Sequence, residues 1–269
     1  MFKFLNGLDR DIQQTLLHQI RDLWTHTSTA LEGNTLTLGD TKFVLDEGLT
    51  VSGKPIKDHQ EVIGHAKAIE LIYGMIGQEV TETHLFELHK AVQSEEVSDI
   101  YKPYGAWKVE PNGTYMVNEQ GRQIFLEYAL PAAVPVLMGE VIEYINSTSS
   151  KDISLVDAPL IYAKIHMGIA HIHPFLGGNG RVARLIANIP LLRSGLPPIV
   201  VQSENRREYI DVIASYQKTI GALTISSSVW PDESRMNGFV HFCERAYGST
   251  QDLIKCAQQQ QSKRGGMVE

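Results

Sequence analysis

A twelve-residue segment, His173-Pro-Phe-Leu-Gly-Gly-Asn-Gly-Arg-Val-Ala-Arg184, restricts the possible folds more than any other part of the sequence. Pro174 disfavours helical geometry in the residue before it, so we expect a helix to end at about His173. Gly177, Gly178 and Gly180 permit a tight turn with positive φ. An apolar stretch follows at once and predicts a second helix. The sequence therefore predicts two helices joined by a glycine-rich loop.

The same segment carries side chains suited to phosphate chemistry. Successive N–H groups in a glycine-rich turn converge on an anion, and a helix N-terminus favours phosphate. Arg181 and Arg184 are three residues apart, so we expect both guanidiniums on one helix face, bound to phosphate oxygens. We expect His173 at the rim with a pKa near neutrality, available as a general base. This set predicts transfer from a nucleotide; the alternative is an ordinary glycine-rich turn with solvated arginines.

The segment resembles the signature of Fic-domain proteins, His-x-Phe-x-(Asp/Glu)-Gly-Asn-Gly-Arg-x-x-Arg. Seven positions agree: His173, Phe175, Gly178, Asn179, Gly180, Arg181 and Arg184. Gly177 stands where the family usually has an acidic residue that holds Mg²⁺. The resemblance implies an all-α Fic fold, a helical bundle with one β-hairpin flap.

The resemblance also implies a reaction, the transfer of AMP from ATP to a Ser, Thr or Tyr hydroxyl of a target protein, with His173 as the base. ATP phosphates would lie in the loop Gly177 to Gly180, with Arg181 and Arg184 neutralising them. Asn179 would fix the loop or contact the α-phosphate. Because Gly177 lacks a carboxylate, we expect no metal held by the protein and Mg²⁺ bound through the phosphates with waters.

Near the N-terminus, Ser28-x-x-x-Glu32-Gly33 resembles the inhibitory motif (Ser/Thr)-x-x-x-Glu-(Gly/Asn) of Fic proteins, in the class with an N-terminal inhibitory helix. Gly33 and Asn34 are expected to end a short helix. We expect Glu32 to form a bidentate pair with Arg184, and Ser28 to anchor the helix by a hydrogen bond. The alternative is a routine helix end with a solvated Glu32.

The stretch from Gly105 to Val117 predicts a β-hairpin, with Asn112-Gly113 as a type I′ turn. Its exposed edge is suited to adding a target peptide as a strand, and it resembles the Fic flap. The alternative is a hairpin without this role. The predicted target-binding residues are Val109, Glu110, Pro111, Asn112, Gly113, Thr114 and Tyr115.

Apolar spacing predicts the remaining helices. They cover residues 8–24, 58–76, 81–93, 131–146, 155–172, 205–217 and 234–258, and the polar residues from 258 onward are expected to fray. Three regions follow: 1–80 with the inhibitory helix, 81–204 as the Fic core, and 205–269 as C-terminal helices packed on it. By similarity to the family, Tyr209 contacts the adenine base; the alternative is a packing tyrosine.

Composition excludes several classes of partner. The net charge of −7 and the pI of about 5.8 argue against nucleic acid and against an anionic membrane. The sequence shows no apolar run long enough for a membrane span and no evident signal peptide. Cys243 and Cys256 are expected to be free thiols, which favours the cytoplasm.

The partner that we expect is a target protein, with self-modification and a homodimer as further possibilities. Three other functions stay open at this point. They are a nucleotide-binding regulator without transfer, a hydrolase that removes AMP from a target, and a scaffold whose flap and N-terminal helices bind a partner.

Overall fold

The computed structural model describes residues 2–93, 100–117, 121–149 and 152–265. Helices dominate, with a single antiparallel hairpin among the described residues, which confirms the predicted Fic fold of helices with one hairpin. The N-terminal helices are α1 (Arg10–Ala30), α2 (Leu38–Glu47), α3 (Ile56–Gly74) and α4 (Glu82–Gln93). The hairpin is β1 (Gly113–Val117) and β2 (Gln123–Glu127), with Thr114 opposite Leu126. There follow α5 (Val134–Ser149), α6 (Ala158–Ile172), α7 (Asn179–Ile186), α8 (Ile189–Arg193), α9 (Arg206–Ile220), α10 (Asn237–Ala246) and α11 (Gly248–Gly265).

The helix α6 lies at the centre of the main core. It is apolar on nearly all sides and packs against α5, α7 and α10, as expected of a helix buried within a domain. Its predicted start at Leu155 is three residues early, because the Ser154 hydroxyl accepts a hydrogen bond from the Asp157 N–H and forms a turn there. It ends at Ile172, as Pro174 predicts, and therefore delivers His173 to the loop.

The helix α1 is longer than predicted. We expected a helix to residue 24 and a separate short one before Gly33, but one helix continues from Arg10 to Ala30. Thr27 and Thr29 do not interrupt it, because their hydroxyls donate to the carbonyls of Leu23 and Thr25 one turn earlier, both at 2.9 Å. The chain then turns at Gly33, whose φ is +100°.

The C-terminal segment differs from the prediction in two ways. The expected helix 234–258 is two helices, α10 and α11, separated at Tyr247. The tail that we expected to fray stays helical to Gly265, because Arg264 pairs with Asp11 at 2.6 Å. Next to this pair, Ile254 and Ala257 of α11 form a small second core with α1.

One main hydrophobic core includes residues from all three predicted regions, for example Trp24, Leu85 and Tyr216. The division at residues 80 and 204 stays a prediction. Within the described ranges, every helix is too short or too polar to cross a membrane.

Candidate active site

His173 stands at the end of α6 in an unusual backbone conformation. Its φ of 54° and ψ of 60° lie in the left-handed region, and no other non-glycine residue in the described ranges has a positive φ. Its N–H still donates to the carbonyl of Ile169 at 2.9 Å, which closes the helix. The ring of Tyr128 stacks on the imidazole, with centroids 4.0 Å apart and planes 2° apart. The imidazole is therefore held from the side by an aromatic ring.

The loop after His173 is fixed by one asparagine. The side-chain oxygen of Asn179 accepts from the N–H of Phe175 at 2.9 Å, and its amide donates to the carbonyl of Phe175 at 2.8 Å. Phe175 is fully buried and stacks on His89, with ring centroids 4.1 Å apart. The side chain of Asn179 thus forms its hydrogen bonds within the loop, which is one of the two roles expected of it.

The glycines have different roles. Only Gly178 has the positive φ expected of all three, at 73°. Gly180 is needed for a close approach, because a Cβ there would lie 2.5 Å from Oε1 of Glu32. A Cβ at Gly177 would meet only the side chain of Gln93, with Nε2 at 3.0 Å.

Arg184 is held by the end of α1 and by α9. Its Nε donates to the Ser28 hydroxyl at 3.0 Å, and Nη2 donates to the Ser28 carbonyl at 2.9 Å and to Oε1 of Glu32 at 2.6 Å. Nη1 donates to the hydroxyl of Tyr209 at 3.0 Å. The ion pair with Glu32 is present, but it uses a single carboxylate oxygen and not the bidentate geometry that we expected. The reason is that Ser28 occupies the Nε–Nη2 edge of the guanidinium and Tyr209 occupies Nη1.

Arg181 has other partners than Arg184, and its place on the same helix face stays a prediction. Its Nη1 donates to the carbonyl of Val92 at 2.7 Å, and the same atom lies 3.7 Å from Oε1 of Glu61. Val92 lies in the last turn of α4, where helical carbonyls lack partners and attract a cation. Arg181 therefore joins α7 to α4.

A cavity of about 840 Å³ lies beside His173, between the flap, the end of α1 and α9. Of the predicted site residues, it is lined by Glu32, Thr114, Tyr115, His173, Asn179, Gly180, Arg184 and Tyr209. It does not bring in Ser28, Gly33, Val109 to Gly113, Gly177, Gly178 or Arg181. Sequence reasoning missed two cations in its wall, Arg206 and Lys218, since neither stands in a motif.

The flap is a hairpin, but Asn112-Gly113 is not its turn. Gly113 is the first residue of strand β1, where it pairs with Glu127 of β2. Residues 118–120 lie outside the described ranges. Asn112 lies at the base, where its amide donates to the carbonyl of Phe175 at 3.1 Å. Gly113 lacks a positive φ, and it is glycine because a Cβ would collide with the Phe125 ring and the Leu126 carbonyl.

Burial sets the protonation of the site. Burial, reinforced by the Lys108 ammonium and opposed by Glu32, lowers the pKa of His173 to about 4. The imidazole is therefore neutral at pH 7, and our expectation of a pKa near neutrality is wrong. Burial disfavours the Glu32 carboxylate, but the charge and hydrogen bond of Arg184 and the charges of Arg181 and Arg206 together outweigh it, so the pKa of Glu32 lies below its usual value.

Tyr209 is buried between two polar neighbours. Its hydroxyl contacts Nε2 of His166 at 2.8 Å as well as Nη1 of Arg184. It also lines the cavity, so both the adenine contact and the packing role remain compatible with its place. His166 is fully buried, and burial lowers its pKa to about 3, which keeps it neutral.

The donor set does not fit a metal held by the protein. Within the described ranges, no three His, Cys, Asp or Glu side chains are grouped as metal ligands, and Gly177 supplies no carboxylate at the loop.

Known proteins share this arrangement in sequence. Residues 79–191 match the Fic/DOC family. The protein adenylyltransferase fic-1 of Caenorhabditis elegans is 30% identical over 191 residues, which are 70% of this chain and 35% of that protein. The protein adenylyltransferase Fic of Drosophila willistoni is 31% identical over 185 residues, 68% of this chain and 34% of that protein. The chain thus spans about a third of the length of these curated relatives.

The fold is also shared with a solved structure. A Fic domain containing signaling protein from Bacteroides thetaiotaomicron superposes with a TM-score of 0.81 and 28% sequence identity. The match covers 95% of this chain and 93% of that one. With the signature residues around His173, the match over residues 79–191 and the shared helical fold, the chain belongs to the Fic/DOC family.

Proposed function

We propose that the chain is a protein adenylyltransferase that transfers AMP from ATP to a hydroxyl side chain of a target protein. The observation that carries the proposal is that a neutral His173, the buried Arg184 and strand β1 of the flap line one cavity. A base, a cation for phosphate and a strand edge for a peptide are the three parts that such a transfer needs. The names of the relatives support the same reaction.

The chemistry follows from these groups. The target hydroxyl donates its proton to the imidazole of His173 while its oxygen attacks the α-phosphorus of ATP. The bond from that phosphorus to the bridging oxygen breaks, and pyrophosphate leaves with the bond's electron pair. The negative phosphates raise the proton affinity of the nearby imidazole, so the low pKa of His173 in the free protein does not prevent it from acting as the base. Arg184 neutralises the outer phosphates, and catalysis is mainly positioning and charge stabilisation.

The proposal includes a restraint by Glu32. Its carboxylate accepts from the guanidinium of Arg184, the group intended for phosphate, and it also adds negative charge to the cavity. Both effects weaken the binding of ATP. The proposal further includes Mg²⁺ carried on the phosphates and the cytoplasm as location, consistent with the free thiols of Cys243 and Cys256. The proposal also includes modification of the chain by itself and assembly into a homodimer.

The test uses ATP labelled at the α-phosphate, with and without Mg²⁺, and the chain itself as acceptor together with a cell extract. Wild type, Glu32→Gly and Glu32→Gly with His173→Ala are compared, and each is checked for folding by circular dichroism. We expect label on protein in the Glu32→Gly sample only. No label in any sample, with ATP bound, would refute transfer and would favour a nucleotide-binding regulator.

A further inference from the structure

The segment before the flap contains a buried lysine, Lys108, that forms two hydrogen bonds with the backbone around His173. The Lys108 N–H donates to the carbonyl of Pro174 at 2.8 Å. Its ammonium donates to the carbonyl of Ile172 at 3.3 Å. These two carbonyls stand on either side of His173, so one lysine holds the backbone before and after the base.

The same lysine is connected to the flap. Its ammonium also donates to the side-chain oxygen of Asn112 at 2.5 Å, and the carbonyl of Asn112 accepts from the N–H of Tyr128 at 3.0 Å. Tyr128 follows β2 and stacks on His173, and the ammonium lies 6.0 Å from the centroid of that ring. Lys108 therefore contacts the peptide chain before β1, the chain after β2 and the residues around the base.

Stability alone does not account for a lysine at this place. Lys108 is only 2% exposed, and in the described ranges its ammonium has carbonyl and amide oxygens as hydrogen-bond partners and no ion pair with a carboxylate. An ammonium that is buried without a carboxylate is costly, and burial lowers the pKa of Lys108 to about 8. What the lysine provides is geometric, because His173 has a left-handed backbone that strains a non-glycine residue.

We propose that Lys108 is a positioning residue for the transfer: by holding the carbonyls of Ile172 and Pro174 it fixes the imidazole of His173 and joins it to the flap. The role rests on the proposed adenylyl transfer. A target strand added to β1 then meets a base whose place is set by the same lysine that borders the flap. Lys108 does not line the cavity, so we assign it no contact with the nucleotide.

The test is made in the full chain with Glu32→Gly as the parent. Lys108→Met keeps an unbranched side chain one atom shorter and removes the ammonium. Lys108→Arg restores a cation, and Lys42→Met is the matched control on the exposed face of α2. We measure kcat and the KM for ATP, and the pKa of His173 by NMR titration of labelled histidine. The groups that face His173 in the parent are Lys108 and Tyr128, since the carboxylate of Glu32 is absent from it.

For Lys108→Met we expect kcat to fall about 10- to 100-fold, as for a small displacement of a catalytic group. The KM for ATP should stay within about twofold of the parent, and the pKa of His173 should rise because a neighbouring positive charge is lost. Lys108→Arg should recover part of kcat, and Lys42→Met should match the parent. A kcat within about twofold of the parent, together with an unchanged pKa of His173, would overturn the proposal.

The test of Lys108 also covers an inactive parent and an unfolded variant. If the parent itself transfers no AMP, the proposed function fails, and the NMR titration alone decides on Lys108: a raised pKa of His173 supports its place beside the base, and an unchanged one refutes it. If Lys108→Met does not fold, Lys108→Gln takes its place with the same expectations, since it loses the charge and its shorter side chain does not reach as far as the ammonium.

Discussion

Replacing Glu32 by glycine should strengthen ATP binding. ATP phosphates and the Glu32 carboxylate compete for the Nη2 group of Arg184, which Glu32 now contacts at 2.6 Å. A hydrogen bond between charged groups contributes about 1.5–3 kcal/mol. Glu32 is 38% exposed, and solvent screening reduces this to about 1–2 kcal/mol.

The expected change in affinity follows from that energy. When a ligand must first displace an internal partner, its apparent affinity is the intrinsic affinity multiplied by the fraction of molecules in which the partner is already displaced. Because about 1.4 kcal/mol corresponds to a tenfold change, Glu32→Gly should bind ATP about 5- to 30-fold more tightly than wild type. Arg184 keeps its hydrogen bonds to Ser28 and Tyr209, so the gain should stay within that range.

The assay is calorimetric titration with a non-hydrolysable ATP analogue, so that binding is separated from transfer. Glu32→Gln removes the charge and nearly keeps the shape, and Glu47→Gln makes the same charge change at the exposed end of α2. We expect tighter binding for both Glu32 variants and no change for Glu47→Gln. The reasoning is wrong if the three variants and wild type bind equally, or if Glu47→Gln gains as much as Glu32→Gln.

Further predictions concern the loop, the base and the core. Gly177→Asp should increase the effect of Mg²⁺ on ATP binding, measured as the affinity in Mg²⁺ divided by the affinity in EDTA, because it adds a carboxylate at the loop. The aspartate fits there, since Gly177 lacks a positive φ and a Cβ meets the Gln93 side chain. Calorimetry in both buffers checks this, and a Mg²⁺ effect equal to that of wild type would contradict it. In Glu32→Gly, kcat/KM should be flat from neutral pH downward and fall only below about pH 4, because protonation of His173 removes the base and the loss of the Glu32 charge lowers the pKa of His173 further. A fall centred near pH 6.5 would contradict the low pKa. Phe175→Ala should lower the free energy of unfolding by about 3–5 kcal/mol, measured in urea, because the Phe175 ring is fully buried; a loss below about 1 kcal/mol would show that the ring does not support the loop.

Features of the site that depend on neighbouring residues in the chain were predictable. The end of α6 at Ile172 follows from Pro174 and the long apolar stretch before it. The turn at Gly33 follows from glycine itself, whereas a positive φ was expected of three loop glycines and occurs only at Gly178.

Features that depend on distant partners were not predictable. Spacing alone cannot say that Arg181 turns to the end of α4, because the carbonyl of Val92 that it binds is 89 residues away in the chain. The Asn112-Gly113 pair has the composition of a hairpin turn, but its place is decided by Phe125 and Phe175, which lie against it in space. The low pKa of His173 likewise requires knowing that a ring and an ammonium cover it.

The contacts of Arg184 bear on the proposed restraint by Glu32. Glu32 accepts one of its hydrogen bonds, whereas Ser28 accepts two, one at its hydroxyl and one at its carbonyl. Removing the carboxylate therefore removes one competitor for phosphate but leaves most of the guanidinium bound to α1. The Ser28 carbonyl is part of the helix backbone and moves only with it. The N-terminal half of α1 packs against α11 beside the Asp11–Arg264 ion pair, so the proposed loss of the Glu32 carboxylate leaves α1, and with it the Ser28 carbonyl, anchored to the rest of the fold.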